Sequence, residues 1–306
     1  METIEADVVT TPPEQVEVSA TRKLGPIGWL SVGWLVFISL AAILAPILPL
    51  ADPDKSFGRE VARKGPGIPG HLLGGDSIGR DMLSRLIFGA RTSLLIAVGA
   101  VLLGLVVGGL LGLLAGYVRG KLDTILTTLF NVFLSIPALV LALSLVAVLA
   151  PTDTGDGGSP VSHTRRVLVL ILALGIVTIP ILGRITRAST LSWAEREFVK
   201  ASEVSGARPV RIMFREVLPN VFPAMMSITL LGIAVAIVAE GSLALLGVGI
   251  TEEPTWGNMI ETGRKFLRDA PHIVFLPSAA IFFTVMALNY LGDVIRARFD
   301  VREAAL

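Results

Sequence analysis

Residues 94–118 read LLIAVGAVLLGLVVGGLLGLLAGYV, a run of apolar, aromatic and glycine residues without a single charge. A helix needs roughly 20 such residues to cross about 30 Å of hydrocarbon, because each unpaired backbone polar group in lipid costs several kcal/mol. Five other uncharged windows meet or approach this length: 24–51, 124–152, 167–183, 217–239 and 270–292. We therefore predict an all-α polytopic membrane protein with six transmembrane helices and both termini on one side.

The composition favours a membrane protein and excludes several other classes. Of the 306 residues, 53% are hydrophobic and only 17% are charged, which is too apolar for an ordinary soluble domain. A formal net charge of +1 provides no basic surface for phosphates, so no nucleic acid partner is expected. The absence of cysteine excludes disulfides, thiolate catalysis and cysteine metal sites.

The sequence contains no recognisable motif for binding or hydrolysing ATP. The best candidate for a phosphate-binding loop is GYVRGKL at 116–122. Its glycine spacing is wrong for a P-loop, and Leu122 stands where a magnesium-binding Ser or Thr is required. The three histidines are too scattered for a zinc cluster, and no nucleophile with a nearby base is evident. We predict no catalytic residue, and no cofactor or metal bound by this chain.

The charge pattern orients the chain and divides it. Residues 184–215 carry seven Lys and Arg side chains, which by the positive-inside rule favours a cytoplasmic location for this segment and for both termini. The resulting division is a cytoplasmic tail (1–23), a first helix with an external loop (24–91), a core of five helices (92–296) with an inner loop at 188–220, and a cytoplasmic tail (297–306).

Glycines recur at every fourth residue in the window 94–118 and just after it, at Gly104, Gly108, Gly112, Gly116 and Gly120. The missing side chains allow another helix backbone to approach closely. Packing inside one subunit is the favoured interpretation, and pairing with a second subunit is the alternative.

Three prolines and one acid stand inside the spans. Pro137, Pro180 and Pro277 each lack an amide donor and can kink a helix, which suits an opening pathway but also occurs in static membrane helices. Glu240 follows Asn220 by about 20 residues, or about 30 Å of helix, which places it near the far interface and partly desolvated. A structural hydrogen-bonding role is favoured there over a proton relay.

The segment from Trp193 to Pro219 is the most informative part of the inner loop. Phe198, Ala201 and Ser205 share one face of a short amphipathic helix. Gly206 suits a left-handed C-terminal cap, and Pro209 suits the first turn of a second helix that runs toward Leu218 and ends at Pro219. Physics alone leaves two interpretations equal: a docking element, or an interfacial helix in lipid headgroups.

A resemblance favours docking. The string EFVKASEVSG at 197–206, followed by Ile212 and Leu218-Pro219, resembles the EAA loop of ABC importer permeases, in which the short helix is a coupling helix that inserts into an ATPase subunit. Lys200 and Ser202 replace the usual Glu and Ala. The resemblance assigns coupling to these residues: Glu197, Phe198, Lys200, Ala201, Ser202, Gly206 and Ala207.

Three further strings are similar to the C-type permeases of the dipeptide and oligopeptide family. They are HLLGGD at 71–76 with GRD at 79–81, SR at 84–85, Gly89 and RTSL at 91–94; then Glu240, Leu243, LG at 246–247, Gly249, Pro254, WG at 256–257 and Met259; and finally Asn289, GD at 292–293, Arg296, Asp300 and Arg302. Gly75 stands where this family usually has Thr.

The resemblance implies a type I ABC importer permease in a prokaryotic plasma membrane, forming half of a pathway for di- and oligopeptides. The implied partners are a second permease, two ATPase subunits that bind ATP and Mg, an extracytoplasmic peptide-binding protein and membrane lipid. A nickel-chelate or other small-solute importer is the alternative within the family. A self-contained channel or secondary transporter, and a membrane scaffold or receptor, are the alternatives from other classes.

Overall fold

The computed structural model describes residues 24–149, 163–250 and 253–304, with side chains described as far as residue 298. The predicted tail 1–23 lies outside these residues. The described chain consists of ten α-helices, one π-turn and one 3-10 turn: α1 (Pro26–Leu44), α2 (Met82–Val118), α3 (Gly120–Ser135), α4 (Ala138–Leu149), α5 (His163–Ala194), α6 (Glu197–Val204), α7 (Pro209–Ile212), the π-turn Met213–Val217, α8 (Leu218–Leu245), α9 (Trp256–Gly263), the 3-10 turn Arg264–Phe266, and α10 (His272–Ala304).

The all-helical membrane fold is confirmed. Within the described residues, five helices are long and apolar enough to cross a membrane, counting Pro209–Leu245 as one, and a sixth span is present if the bent pair α3 and α4 is counted as one.

The third span is not the single helix that the window 124–152 predicted. Helix α3 and helix α4 meet at an angle of 92°. Ile136, between them, adopts an extended conformation with φ −88° and ψ 129°. Pro137 causes this, because its ring disfavours helical geometry in the residue before it and it has no N–H to continue the helix. Pro180 and Pro277, in contrast, lie inside α5 and α10, which continue through them.

Helices α2 and α5 form the centre of the molecule and touch at backbone level. A Cβ atom built on Gly108 would collide with the carbonyl oxygen of Ile179, and one on Gly112 with the carbonyl oxygen of Gly183. Gly104 and Gly116 face Thr178 and Thr190 of α5 in the same way. The glycine stripe therefore packs inside this subunit. Gly120 does not belong to it, because it has a φ of +62°, opens α3 and has an unobstructed Cβ position.

Several helices extend beyond the predicted boundaries. Helix α2 begins at Met82, well before residue 94, because the side chain of Asp81 caps it by accepting a hydrogen bond from the Ser84 amide at 2.8 Å. Pro219 does not end a helix: it lies in the first turn of α8, where no N–H is required. The non-spanning part of the 188–220 loop thus shrinks to about residues 195–208, and the boundary predicted at 297 falls inside α10.

The two ends of the helix bundle differ. At one, here called the loop end, the segments 45–81 and 253–271 meet: the Arg63 guanidinium lies 5.4 Å from the centre of the Phe266 ring. The His272 Nε2 atom also lies 3.0 Å from the Gly75 carbonyl oxygen. At the opposite end, α6 follows α5, and the guanidinium of Arg119 pairs with Glu195 at 3.0 Å.

Candidate functional site

Helix α6 is held firmly against the bundle on one side. Val199, a residue of α6, is completely buried against the bundle. The Ser202 hydroxyl donates a hydrogen bond of 2.6 Å to a carboxylate oxygen of Glu216 in the π-turn. Gly206 has a φ of +78°, the left-handed conformation that its position after the helix predicts. The Ser202–Glu216 hydrogen bond joins α6 to the π-turn that leads into α8.

The other side of α6 is open. It presents the sequence-predicted residues Glu197, Phe198, Lys200, Ala201 and Gly206, together with Ser205, all exposed, while Ser202 and Ala207 are half-buried. Phe198, Ala201 and Ser205 thus belong to the outward side. The sequence interpretation missed Val204, which at 89% is the most exposed large hydrophobic residue among those that the structure describes. The sequence pattern that could have identified Val204 is an apolar residue directly before the Ser205-Gly206 cap.

An ion pair ties two spans together toward the end of the bundle that carries α6. Asp123 of α3 forms a two-pronged ion pair with Arg187 of α5, in which Arg187 Nη2 lies 2.7 Å from Asp123 Oδ2. The Arg196 guanidinium lies 5.3 Å from the centre of the Trp193 ring. Paired geometry of this kind orients a guanidinium strongly. The start of α3 is therefore fixed against α5.

Glu240 is wholly buried, with 1% of its surface exposed, rather than partly desolvated near an interface. One of its carboxylate oxygens accepts a hydrogen bond of 3.1 Å from the Ser93 hydroxyl, and the Ser93 oxygen in turn accepts one of 3.1 Å from the Trp256 amide. Gly257 and Gly241 bring α9 and α8 within backbone contact beside it. The carboxylate therefore joins α8 to α2 and to the first turn of α9.

The glycine and charged residues that precede α2 and lie in its first turn fold together at the loop end. Asp76 accepts hydrogen bonds from the amides of Ile78 (3.0 Å) and Arg80 (2.9 Å), and from the Arg80 side chain (2.6 Å). The buried guanidinium of Arg85 donates to the Pro53 carbonyl at 2.9 Å. A Cβ on Gly75 would collide with the Val61 carbonyl, so a Thr here requires this segment to move.

A cavity of about 360 Å³ opens between α4, α5, α8 and α10. It starts at Ala138, directly after Pro137, and follows Val177 and Ile181 on either side of Pro180. Pro137 and Pro180 therefore lie next to this cavity, whereas Pro277, Gly108, Gly112 and Glu240 do not line it. Among the described residues, no group of three or more His, Asp or Glu side chains is placed to hold a metal ion.

Comparisons with known proteins agree with this geometry. A family model described as binding-protein-dependent transport system inner membrane component matches residues 108–304. The chain is 33% identical to the di/tripeptide transport system permease protein DppC of Pseudomonas aeruginosa, over 96% of this chain and 93% of that protein. It is also 33% identical to the glutathione transport system permease protein GsiD of Pectobacterium atrosepticum, over 89% and 86% respectively.

A solved structure has a similar fold. It is an inward-facing form of the MetNI methionine ABC transporter, with a TM-score of 0.56, 18% sequence identity, and coverage of 71% of this chain and 97% of that chain. At this identity the similarity concerns the fold alone. It confirms the helical permease architecture that the sequence predicted.

Proposed function

The chain belongs to the family of binding-protein-dependent transport system inner membrane components and is a multi-pass permease subunit of an ABC importer, and on that premise we propose that it forms half of a translocation pathway for di- and oligopeptides. Separate ATPase subunits supply the energy by docking on α6. The peptide specificity is supported by the names of the DppC relatives. Membership of this family argues against a self-contained channel.

The observation that carries the proposal is the open side of α6. Helix α6 is anchored by Val199 and by the Ser202–Glu216 hydrogen bond, yet it exposes Phe198 and Val204. An apolar surface on a stiffly attached helix suits a groove on a partner protein. The residues in contact with the ATPase are Glu197, Phe198, Lys200, Ala201, Ser202, Gly206 and Ala207, as the resemblance implies, with Val204 added from the structure.

This assignment orients the molecule. The end that carries α6 faces the cytoplasm, together with both termini, and the loop end faces the extracytoplasmic binding protein. A second permease completes the pathway, and ATP and Mg are bound by the ATPase subunits. ATP-driven closure of the two ATPases draws the coupling helices together and reverses the access of the pathway. ATP can drive this change because the contacts in the ATPase interface differ between the two states.

The proposal is tested by placing a charge on the open side of α6. Val204→Glu is expected to reduce copurification of the ATPase subunits and abolish ATP-dependent peptide uptake, because a buried unpaired carboxylate is costly at an interface. Leu72→Glu is the matched control, since Leu72 is also an exposed apolar residue, at 73%, but lies at the loop end. Gly206→Pro serves as a second variant, because its backbone conformation is forbidden to proline.

Normal uptake and normal substrate-stimulated ATPase activity in both α6 variants would refute the coupling assignment. Equal loss of ATPase copurification in Leu72→Glu would refute it as well, since the effect would then not be specific to α6. Peptide transport itself is measured on the unaltered chain, assembled with its partners in liposomes.

A further inference from the structure

The cavity between α4, α5, α8 and α10 lies about halfway across the membrane. Val177 stands near the middle of the uncharged window 167–183 and Leu231 near the middle of the window 217–239, and Asn289 lies toward the α6 end of the window 270–292. Its volume of about 360 Å³ falls within the range of about 300–1,000 Å³ that is typical of small-molecule pockets. The cavity therefore has the depth and the size of a substrate pocket in a transporter.

The break between α3 and α4 indicates that this side of the molecule does not face lipid. The first hydrogen bond of α4 runs from the Leu141 amide to the Pro137 carbonyl at 3.0 Å, so the amides of residues 138–140 precede it. These residues are exposed in the isolated chain. Exposed backbone of this kind is not tolerated against hydrocarbon, but it is tolerated beside a water-filled cavity.

The chemistry of the walls is almost wholly apolar. Among the residues that the structure describes, no Asp, Glu, Lys, Arg or His side chain lines the cavity, and three of the lining residues are polar. Two of them are already satisfied within their own helices: Thr178 donates to the Gly175 carbonyl and Ser242 to the Val238 carbonyl, both at 2.8 Å. The third is Asn289, whose Oδ1 atom is buried and has no hydrogen-bond partner among the described residues.

Building on the proposed function, we propose that this cavity is a water-accessible pocket of the translocation pathway, which receives an apolar side chain of the peptide in transit while the Asn289 amide hydrogen-bonds to the peptide backbone. An amide oxygen without a hydrogen-bond partner is costly inside a membrane protein unless a solute or water donates a hydrogen bond to it. A peptide backbone offers the N–H and C=O groups that an amide pairs with. The charged ends of the peptide are not recognised by this wall, because it carries no charge.

Water access is tested first, by cysteine labelling, because the chain contains no cysteine of its own. Val235→Cys places a thiol in the cavity, and Val106→Cys is its matched control on α2; the two valines are 61% and 57% exposed in the isolated chain, and only Val235 lines the cavity. The full complex is prepared with cysteine-free partner subunits in nanodiscs and treated with a hydrophilic methanethiosulfonate.

We expect Val235→Cys to react at least about tenfold faster than Val106→Cys, because only a hydrated thiol forms the reactive thiolate. Equal rates, or no reaction at Val235→Cys, would overturn the proposal, since the cavity would then be filled by lipid or by the second permease. This measurement does not depend on the identity of the solute, so it remains decisive if peptide transport itself fails.

Substrate contact is tested with two tripeptides, trialanine and trileucine, in ATP-dependent uptake by proteoliposomes. Val235→Trp narrows the pocket and is expected to lower the ratio of trileucine to trialanine uptake about tenfold or more, as expected for crowding in an apolar pocket. Val106→Trp should leave this ratio unchanged. An unchanged ratio in Val235→Trp would refute the pocket assignment, whereas absence of uptake of both peptides by the unaltered chain would refute the proposed function.

The role of Asn289 has its own readout. Asn289→Leu is expected to raise the KM for both tripeptides about threefold to tenfold, the effect of losing one neutral hydrogen bond, with ATPase subunits still copurifying. Asn289→Gln keeps the amide and should recover part of the loss. An unchanged KM in Asn289→Leu would show that this amide does not contact the peptide.

Discussion

At the scale of single residues, glycines on α2 decide how closely the two central helices approach. The carbonyl oxygens of Ile179 and Gly183 occupy the space where side chains on Gly108 and Gly112 would stand. Because these obstacles are backbone atoms, they cannot move aside as a side chain does. A substitution there must separate the helices.

We predict that Gly112→Ala destabilises the chain by about 1–3 kcal/mol, the cost of overpacking a close contact. Gly33→Ala is the control, because a Cβ at this position in α1 meets nothing within 4 Å. Thermal unfolding followed by fluorescence-detected size exclusion measures both. Equal unfolding temperatures would contradict the close packing of α2 on α5.

A second residue-scale prediction concerns Glu240. Glu240→Gln should preserve folding and uptake, because the amide oxygen can still accept the hydrogen bond from Ser93. Glu240→Leu leaves the Ser93 hydroxyl without its acceptor and should lower stability by about 1–3 kcal/mol. ATP-driven uptake by the Glu240→Gln variant separates the two roles: loss of uptake in a well-folded variant would instead support a proton relay.

At the scale of elements, α6 transmits force only if its attachment is stiff. The Ser202–Glu216 hydrogen bond of 2.6 Å is the polar contact between α6 and the π-turn that leads into α8. A hydrogen bond to a charged group contributes about 1.5–3 kcal/mol. Its loss should therefore loosen the mechanical link without removing the docking surface.

We predict that Ser202→Ala lowers the amount of peptide imported per ATP hydrolysed severalfold, while the other docking residues of α6 keep the ATPase subunits bound. Ser192→Ala is the control, since the Ser192 hydroxyl bonds only within α5. Uptake and phosphate release are measured in the same proteoliposomes. A full coupling ratio in Ser202→Ala would show that the apolar anchor at Val199 suffices.

For the third span, the sequence predicts the apolar composition correctly but not the path of the backbone. Its apolar window was read correctly as membrane-embedded, because hydropathy is a sum over side chains. A sum of side-chain hydropathies contains no information about where the backbone turns. Pro137 was recognised as a possible kink, but the 92° angle between α3 and α4 depends on how both helices pack against α5.

At the scale of the whole molecule, the proposed orientation makes the two ends differ in accessibility. Because the chain has no cysteine, Leu72→Cys and Val204→Cys provide single thiols at the loop end and on α6. An impermeant thiol reagent applied to intact spheroplasts should label Leu72→Cys, and should label Val204→Cys only after permeabilisation. The reverse pattern would invert the orientation of the chain and of its coupling helix.

The sequence by itself determined the membrane class, the apolar windows, the turn at Gly206 and the family of the chain, because each depends on local composition, on backbone chemistry or on short motifs. Only the tertiary structure decided that Val204 faces outward and that Glu240 is sealed between Ser93 and the start of α9. It also decided that the Oδ1 atom of Asn289, beside an apolar cavity, has no hydrogen-bond partner within the described part of the chain. Those features arise where residues distant in the chain meet, and burial and hydrogen bonding are properties of that meeting.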